Sequence, residues 1–500
     1  MPKMLREDID LKSRMFILVL VSSSLLAQVP ANITIGFEDA TAKAGIQFTH
    51  SFGAQKLGSL LESTGSGCVW FDFNNDGFPD LYVASGKPLG EGVHPYPLKQ
   101  LPTPPPHNHL YRNNGDGTFT DVTAKAGIDV DGWSISSTWL DYDRDGCVDL
   151  FVGRYVKFDP KYRNFYPADN YPGPLDYAGD TNRLYHNNCN GTFTDVTDKS
   201  GIGAYKGRTM GATAADYDGD GYPDIYVSND KTENFLFHNQ HDGTFQEVAG
   251  DLGVAYGQNG ESTSAMGPVF ADVDGDGRLD LFVTDSKYNR LMRNAGANGF
   301  DDIGPASGIS QANAQYTSWG SGVYDFDNDG AVDIMIFHGG LVHLVPQEHS
   351  LFRGLGNGKF VDVSREGGAV LEAKTVSRGA CFADYDNDGK IDAFVVNLGA
   401  PALLLRNITQ NTNHWLTLKL QGKKSNRDGI GAHLELVAGG RKQVAERIAG
   451  SGYLSQDDGR IHFGLGTAAK VEKLTIRWPS GQEQIVENPA VDRVLAVEEP

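Results

Sequence analysis

The chain has 500 residues, 40% of them hydrophobic and 10% aromatic, which is the composition of a folded protein with room for more than one core. Its formal charge of −21 argues against nucleic acid or an anionic membrane surface as partner. Sixty-one glycines against 22 prolines suit many short strands joined by tight turns.

Residues 1–31 read as a secretory signal. Arg6, Lys12 and Arg14 precede the apolar run Met15–Val21, and Leu25-Leu-Ala27 follows, with cleavage expected after Ala27 or Ala31. The run is too short for a spanning helix. Glu7 and Asp8 are unusual in such a leader, so a start at Met15 or a retained anchor stays open. No second apolar stretch is long enough to cross a membrane, so the mature chain is expected to be soluble and secreted, periplasmic or extracellular.

From residue 36 to 407 three landmarks recur. The first is an aromatic-Asp-Val-Thr phrase that ends in glycine, clear at Phe37, Phe119 and Phe193 and looser at Phe245, Phe300 and Phe360. The third is a Leu-aromatic-x-Asn phrase, clearest at Leu110–Asn113, Leu184–Asn187 and Leu236–Asn239, with variants ending at Asn294, Gly354 and Asn407. Between them stands a nonapeptide such as Asp216-Tyr-Asp-Gly-Asp-Gly-Tyr-Pro-Asp224.

That nonapeptide occurs six times. Oxygen ligands fall at positions 1, 3, 5 and 9, and glycine at position 6 permits a sharp turn. The side chains are Asp72, Asn74, Asp76 and Asp80, then Asp141, Asp143, Asp145 and Asp149, then Asp216, Asp218, Asp220 and Asp224. The later copies hold Asp272, Asp274, Asp276 and Asp280, then Asp325, Asp327, Asp329 and Asp333, then Asp384, Asp386, Asp388 and Asp392. Converging carboxylates repel one another, so each loop calls for a hard cation, and Ca²⁺ suits them better than Mg²⁺ with its stricter octahedron. An EF-hand would need Glu at position 12, where Val83, Val152, Val227, Val283, Ile336 and Val395 stand. Position 7 varies widely (Phe78, Cys147, Tyr222, Arg278, Ala331, Lys390), as befits a ligand offering only its carbonyl. The competing reading is an Asp/Gly-rich turn without metal. The loops hold 23 carboxylates, so six divalent ions would bring the net charge to about −9.

Short runs such as Leu81–Val83 and Ile225–Val227 follow each loop and read as strands. Each repeat is then about four strands, a propeller blade. The phrase at Phe37 comes first and the one at Leu404 last, so the N-terminal strand is expected to complete the final blade of six, with a seventh, degenerate blade left open. Two repeats are swollen, between Ser85 and Asn108 and between Arg154 and Asn182, and both insertions should leave the ring from one face. Cys68 and Cys381 hold equivalent places before the first and last loops; a disulfide between them and two buried free thiols are both open. Four cysteines are too few for a disulfide framework.

From about Asn411 the pattern changes to alternating segments, Trp415–Leu420, Ile430–Val437, Arg460–Gly466 and Val471–Trp478, which read as a separate antiparallel β domain, a sandwich.

The loops and their strands over residues 36–407 resemble the FG-GAP/VCBS repeats of integrin-α-type β-propellers. Gly431–Leu434, Gly450-Ser-Gly-Tyr-Leu-Ser-Gln456, Phe463–Gly466 and Trp478–Gly481 resemble the ASPIC/UnbV domain. Together they are similar to the cartilage acidic protein family, which implies a secreted, calcium-binding protein. The expectation is therefore an all-β chain: a signal peptide (1–31), a six- to seven-bladed β-propeller with Ca²⁺-binding hairpin loops (32–410) and an antiparallel β-sandwich-like domain (411–500). Its expected role is extracellular adhesion or interaction with a protein or glycan. The alternative is an enzyme or small-ligand binder, with a site on the long-loop face or in the channel, built around a His/Tyr metal centre from His107, His109, Tyr162, Tyr166, His338, His343 and His349.

Overall fold

The computed structural model describes residues 34–52, 57–85, 107–126, 136–159, 162 and 171–500. The leader, Tyr166, most of the first insertion and residues 160–161 and 163–170 of the second lie outside these residues. No helix among the described residues is long and apolar enough to cross a membrane.

Six four-stranded antiparallel sheets form the blades, each beginning with a strand at the ring's centre: Cys68–Phe71, Ser137–Leu140, Thr209–Ala215, Pro268–Ala271, Ser318–Tyr324 and Ser377–Ala383. In the sixth, Ser377–Ala383, Asp392–Asn397 and Leu403–Asn407 are joined by the N-terminal strand Phe37–Asp39, with Phe37 opposite Asn407 and Asp39 opposite Leu405. The expected ring closure is thus formed. The second strand of each blade carries apolar residues on both faces because blades stack on either side of it; all six residues of Asp224–Asn229 are buried. Inner strands approach so closely that a Cβ on Gly320 would lie 2.7 Å from the backbone nitrogen of Ala380.

Neighbouring blades are latched by a repeated device. The strand-4 Phe of one blade packs on the aromatic second residue of the preceding blade's acidic loop: Phe245 on Tyr142 (5.8 Å between centroids), Phe300 on Tyr217 (5.9 Å), Phe37 on Phe326 (5.7 Å) and Phe119 on Tyr385 (5.9 Å). The Asn ending strand 3 donates to the carbonyl of that same loop residue, as Asn113 does to Tyr385 at 2.9 Å and Asn294 to Tyr217 at 2.8 Å. Between blades 4 and 5 the latch is Val273 with Phe360, and the amide of Gly358 donates to Val273.

The C-terminal strands form two sheets around one apolar core. Ile461–Gly466, His414–Gln421 and Arg493–Glu498 make one; Arg441–Glu446, His433–Ala438, Val471–Arg477 and Glu483–Glu487 make the other. The tail is not wholly antiparallel: His414–Gln421 and Arg493–Glu498 run parallel. This last strand returns beside the first because Glu499 caps the turn at Lys423–Ser425, accepting three successive amides.

Residues 447–460 leave this tail and fill the propeller channel. They touch the inner strand of every blade. Gln456 exchanges main-chain bonds with Cys68 and Trp70, Thr138 donates to the carbonyl of Ala449, and Ala449 bridges Ala214. The amide of Gly452 donates to Pro268, Tyr324 donates to Asp457 at 2.8 Å, and Phe382 bonds both Asp457 and Asp458. Tyr453 is fully buried at the tip, 5.1 Å edge-on from Trp319, its hydroxyl on the carbonyl of Thr64. The channel offered above as an alternative site is therefore occupied by the chain itself.

Candidate metal centres

The six loops share one geometry, set by local backbone chemistry. Position 6 is glycine with φ between 84° and 93° in every loop, and position 4 is also left-handed (Asn75, Arg144, Gly219, Gly275, Asn328, Asn387). Glycine and asparagine tolerate that conformation; Arg144 does not, and it is held from outside by its bond to the carbonyl of Pro479 and by lying 4.9 Å over the Tyr222 ring. Within the loop, the position-1 carboxylate accepts amides from positions 5 and 6, as Asp384 does from Asp388 and Gly389, both at 2.9 Å. Position 5 accepts from position 7, as in Asp220 with Tyr222 at 2.8 Å. Position 9 straddles two elements: Asp80 accepts from Phe73 at 3.1 Å and from Asn113 at 2.7 Å, and Asp333 from Phe326 at 2.9 Å and Gly354 at 2.8 Å.

These bonds leave inward oxygens without partners. Asp141 Oδ1, Asp143 Oδ1, Asp224 Oδ2 and Asp386 Oδ1 are buried and unsatisfied, a costly state for a carboxylate. Ligand atoms of Asp141, Asp143 and Asp145 lie within 4.8 Å of one another, as do those of Asp216, Asp218 and Asp224. Burial, with mutual repulsion behind it, pushes Asp149 up to about 8, Asp224, Asp280 and Asp384 to about 7, and Asp80, Asp141 and Asp216 to about 6. Asp325, Asp333 and Asp392 are also raised well above the usual carboxylate range by the same causes. Orphaned hard oxygens converging under a positive-φ turn fit a hard divalent cation.

Sequence reasoning missed two contributors. In Leu-aromatic-x-Asn, x is basic in all six blades (Arg112, His186, His238, Arg293, Arg353, Arg406). Four of these reach the loop: Arg353 pairs with Asp327 (2.8 Å) and Asp329 (2.9 Å), Arg406 with Asp386 (2.8 Å) and Asp388 (3.1 Å). His238 lies 3.1 Å from Asp224 and His186 3.3 Å from Asp149. Their regular chemistry is written in the sequence, at the place marked x in that phrase.

The second is the tail, which covers the loop face and touches every loop. Lys419 pairs with Asp72 at 2.9 Å, Asn426 donates to Asp141, and buried Glu446 accepts the amide of Asp216. Lys442 and Val444 lie against Gly277. His462 meets Asn328 at 2.7 Å, while Arg460 donates to the carbonyl of Asp384 at 2.7 Å. No periodicity in the sequence announces such a docking surface.

Cys147, at position 7 of the second loop, is disulfide-bonded to Cys189 in the turn after strand 3. Cys68 and Cys381 are free and buried. His107, His109, His338 and His349, offered above for a separate metal centre, have other partners. His338 bonds Ser318 and Ser350, and His349 bonds Thr375, a buried network in which both rings are held neutral by desolvation. His107 stacks on His109, which pairs with Asp121.

A model of the ASPIC and UnbV family matches residues 422–500, and one of the FG-GAP-like repeat matches residues 72–152, 175–227, 216–283 and 272–336. The sixth loop lies outside those spans yet has the same geometry. Cartilage acidic protein 1 of Homo sapiens is 28% identical over 316 residues, covering 58% of this chain and 43% of that one; the Mus musculus protein is 27% identical over 285 residues, covering 52% and 40%. The chain thus spans less than half the length of these relatives. An Agrocybe aegerita lectin structure, described as recognising non-reducing terminal N-acetylglucosamine, overlaps 69% of this chain and 81% of its own at 19% identity and a TM-score of 0.33, too loose to carry an argument.

Proposed function

We propose that this chain, which belongs to the FG-GAP repeat proteins ending in an ASPIC/UnbV domain, is a secreted calcium-binding interaction module. In this reading the six loops hold Ca²⁺ as structural ions. The observation that carries it is the buried, unpartnered carboxylate oxygens of the second, third and sixth loops, within a turn geometry common to all six. The ligands are the side chains at positions 1, 3, 5 and 9 of each loop, from Asp72 to Asp392, with the carbonyl at position 7. A site present in every blade, beneath the tail, belongs to the scaffold.

The ring is assigned to residues 32–410, the cap to 411–500 and a cleaved leader to 1–31. The Cys147–Cys189 disulfide supports an oxidising, extracellular setting, and relatives named cartilage acidic protein support the same compartment. Partners are an extracellular protein or glycan, engaged as in adhesion. Calorimetric titration of chelator-stripped protein with Ca²⁺ tests the reading: binding of several ions with a raised melting midpoint supports it, and an unchanged midpoint overturns it.

A further inference from the structure

Five of the six seams between blades carry the Phe latch. The seam between blades 1 and 2 does not. Its two latch residues are Phe73, second in the first acidic loop, and Phe193, on the outer strand of blade 2. They are 40% and 45% exposed, whereas Phe119, Phe245, Phe300 and Phe360 are 7–8% exposed. Phe73 packs instead on Phe71 of its own blade (6.1 Å) and Phe193 on Trp139 (6.3 Å). Asn187, whose equivalents reach the neighbouring loop, donates to the carbonyl of Val148 in its own blade.

The unlatched seam is a cleft of about 620 Å³, within the roughly 300–1,000 Å³ of small-ligand sites. Phe71 and Phe73 form one wall and Trp139 the other; the tail supplies Arg427 and Asp428. Half-exposed aromatic faces in such number mark a binding surface rather than a core.

We infer that this cleft binds a short neutral oligosaccharide, a proposal that rests on the interaction-module reading and locates its site. A pyranose ring has an apolar C–H face suited to Trp139 and the Phe rings, and a rim of hydroxyls that both donate and accept. The exposed Arg427 guanidinium donates and the exposed Asp428 carboxylate accepts. Their charges cancel, and Lys419 is neutralised by Asp72, so the cleft does not select an anion. An apolar protein anchor would take the Arg427–Asp428 pair out of water and leave unmet the hydrogen-bonding capacity that their contacts with each other and with Asn75 do not use, at a net cost.

The test is an array of neutral, sialylated and sulfated oligosaccharides probed with the full chain in Ca²⁺. Retention on neutral members is expected. It should fall about tenfold or more in Trp139→Ala and in Arg427→Ala and survive in Trp139→Phe, with melting midpoints unchanged. Three results overturn the proposal: no retention, retention confined to sulfated members, or retention indifferent to both substitutions. Normal Ca²⁺ binding beside an empty array rejects the cleft and leaves the calcium reading standing; absent Ca²⁺ binding rejects that reading instead.

Discussion

Asn239 of the third blade donates its side-chain amide at 2.8 Å to the main-chain carbonyl of Tyr142, in the acidic loop of the blade before. The bond is buried and crosses a seam, so losing it leaves a carbonyl inside the ring unsatisfied. Asn239→Ala is expected to cost about 1–3 kcal/mol. Asn187→Ala, at the seam where the equivalent residue bonds only within its own blade, should cost less. Parallel urea melts of the two variants check the difference; equal losses would show that the cross-blade bond contributes nothing.

Stability should respond to pH in opposite senses with and without cation. Burial holds Asp149 up at about 8 and Asp224, Asp280 and Asp384 at about 7 in the folded, metal-free chain, against about 4 when unfolded. Their contribution is therefore complete below about pH 4 and is lost as pH rises through 7 to 8. In chelator the melting midpoint should fall between about pH 5 and about pH 8. With Ca²⁺, whose binding requires the ionised carboxylates, it should hold or rise over the same range. Calorimetry in both buffers reads this directly, and a midpoint that rises with pH in chelator would contradict it.

Arg406 spans Asp386 and Asp388 in the last loop. Removing it as Arg406→Ala leaves Asp386 without its counter-charge and Asp388 with Lys390 alone, at 3.1 Å. The loss is expected to be larger in chelator than in saturating Ca²⁺, where the ion supplies positive charge of its own. Melting midpoints of variant and parent in the two buffers give the comparison; equal losses would place Arg406 outside the ion's influence.

Truncating Tyr453 should unseat the channel segment. Its ring fills the space against Trp319 and its hydroxyl satisfies the carbonyl of Thr64. Tyr453→Ala is expected to cost about 3–5 kcal/mol. Trp319, fully buried in the parent, should show red-shifted emission if water enters. An unshifted spectrum with unchanged stability would mean that the segment is held by its main-chain bonds alone.

Reduction should act locally. The Cys147–Cys189 bridge closes a sequence separation of 42 within blade 2, so its loss should cost about 2–4 kcal/mol. Proteolysis under reducing conditions should cut blade 2 first. Cleavage spread evenly over the ring would contradict this assignment.

What could be read from the residues follows from how local each signal is. The ligand spacing of Asp216–Asp224, the glycine at position 6 and the strands beside it are written within nine to twelve residues, so the loops, blades and ring closure at Phe37 were legible. Strand Arg493–Glu498 has no alternation strong enough to be seen, and its parallel pairing depends on Glu499 meeting the turn at Lys423–Ser425, 74 to 76 positions earlier. The channel segment is legible as a phrase but not as a plug, because Gly450 and Gly452 have turn chemistry whichever surface they press against. Phe193 and Phe119 open the same phrase, Phe-Thr-Asp-Val-Thr. Only the neighbouring blade determines which of the two is buried.

Strand Phe37–Asp39 is made first and used last. Gly36 and Thr409, hydrogen-bonded across the closed ring, stand 373 positions apart, and the channel segment that touches all six inner strands comes later still. Synthesis from the N-terminal side therefore leaves strand Phe37–Asp39 unpaired until Leu403–Asn407 is made, and the axis unfilled until residues 447–460 follow. Joining the ring's ends costs loop entropy that grows with the logarithm of that length, and the exposed edges are open to mispairing meanwhile. Chain order predicts blades first, ring second, axis last. A chain cut short before residue 447 would leave the ring without its hub.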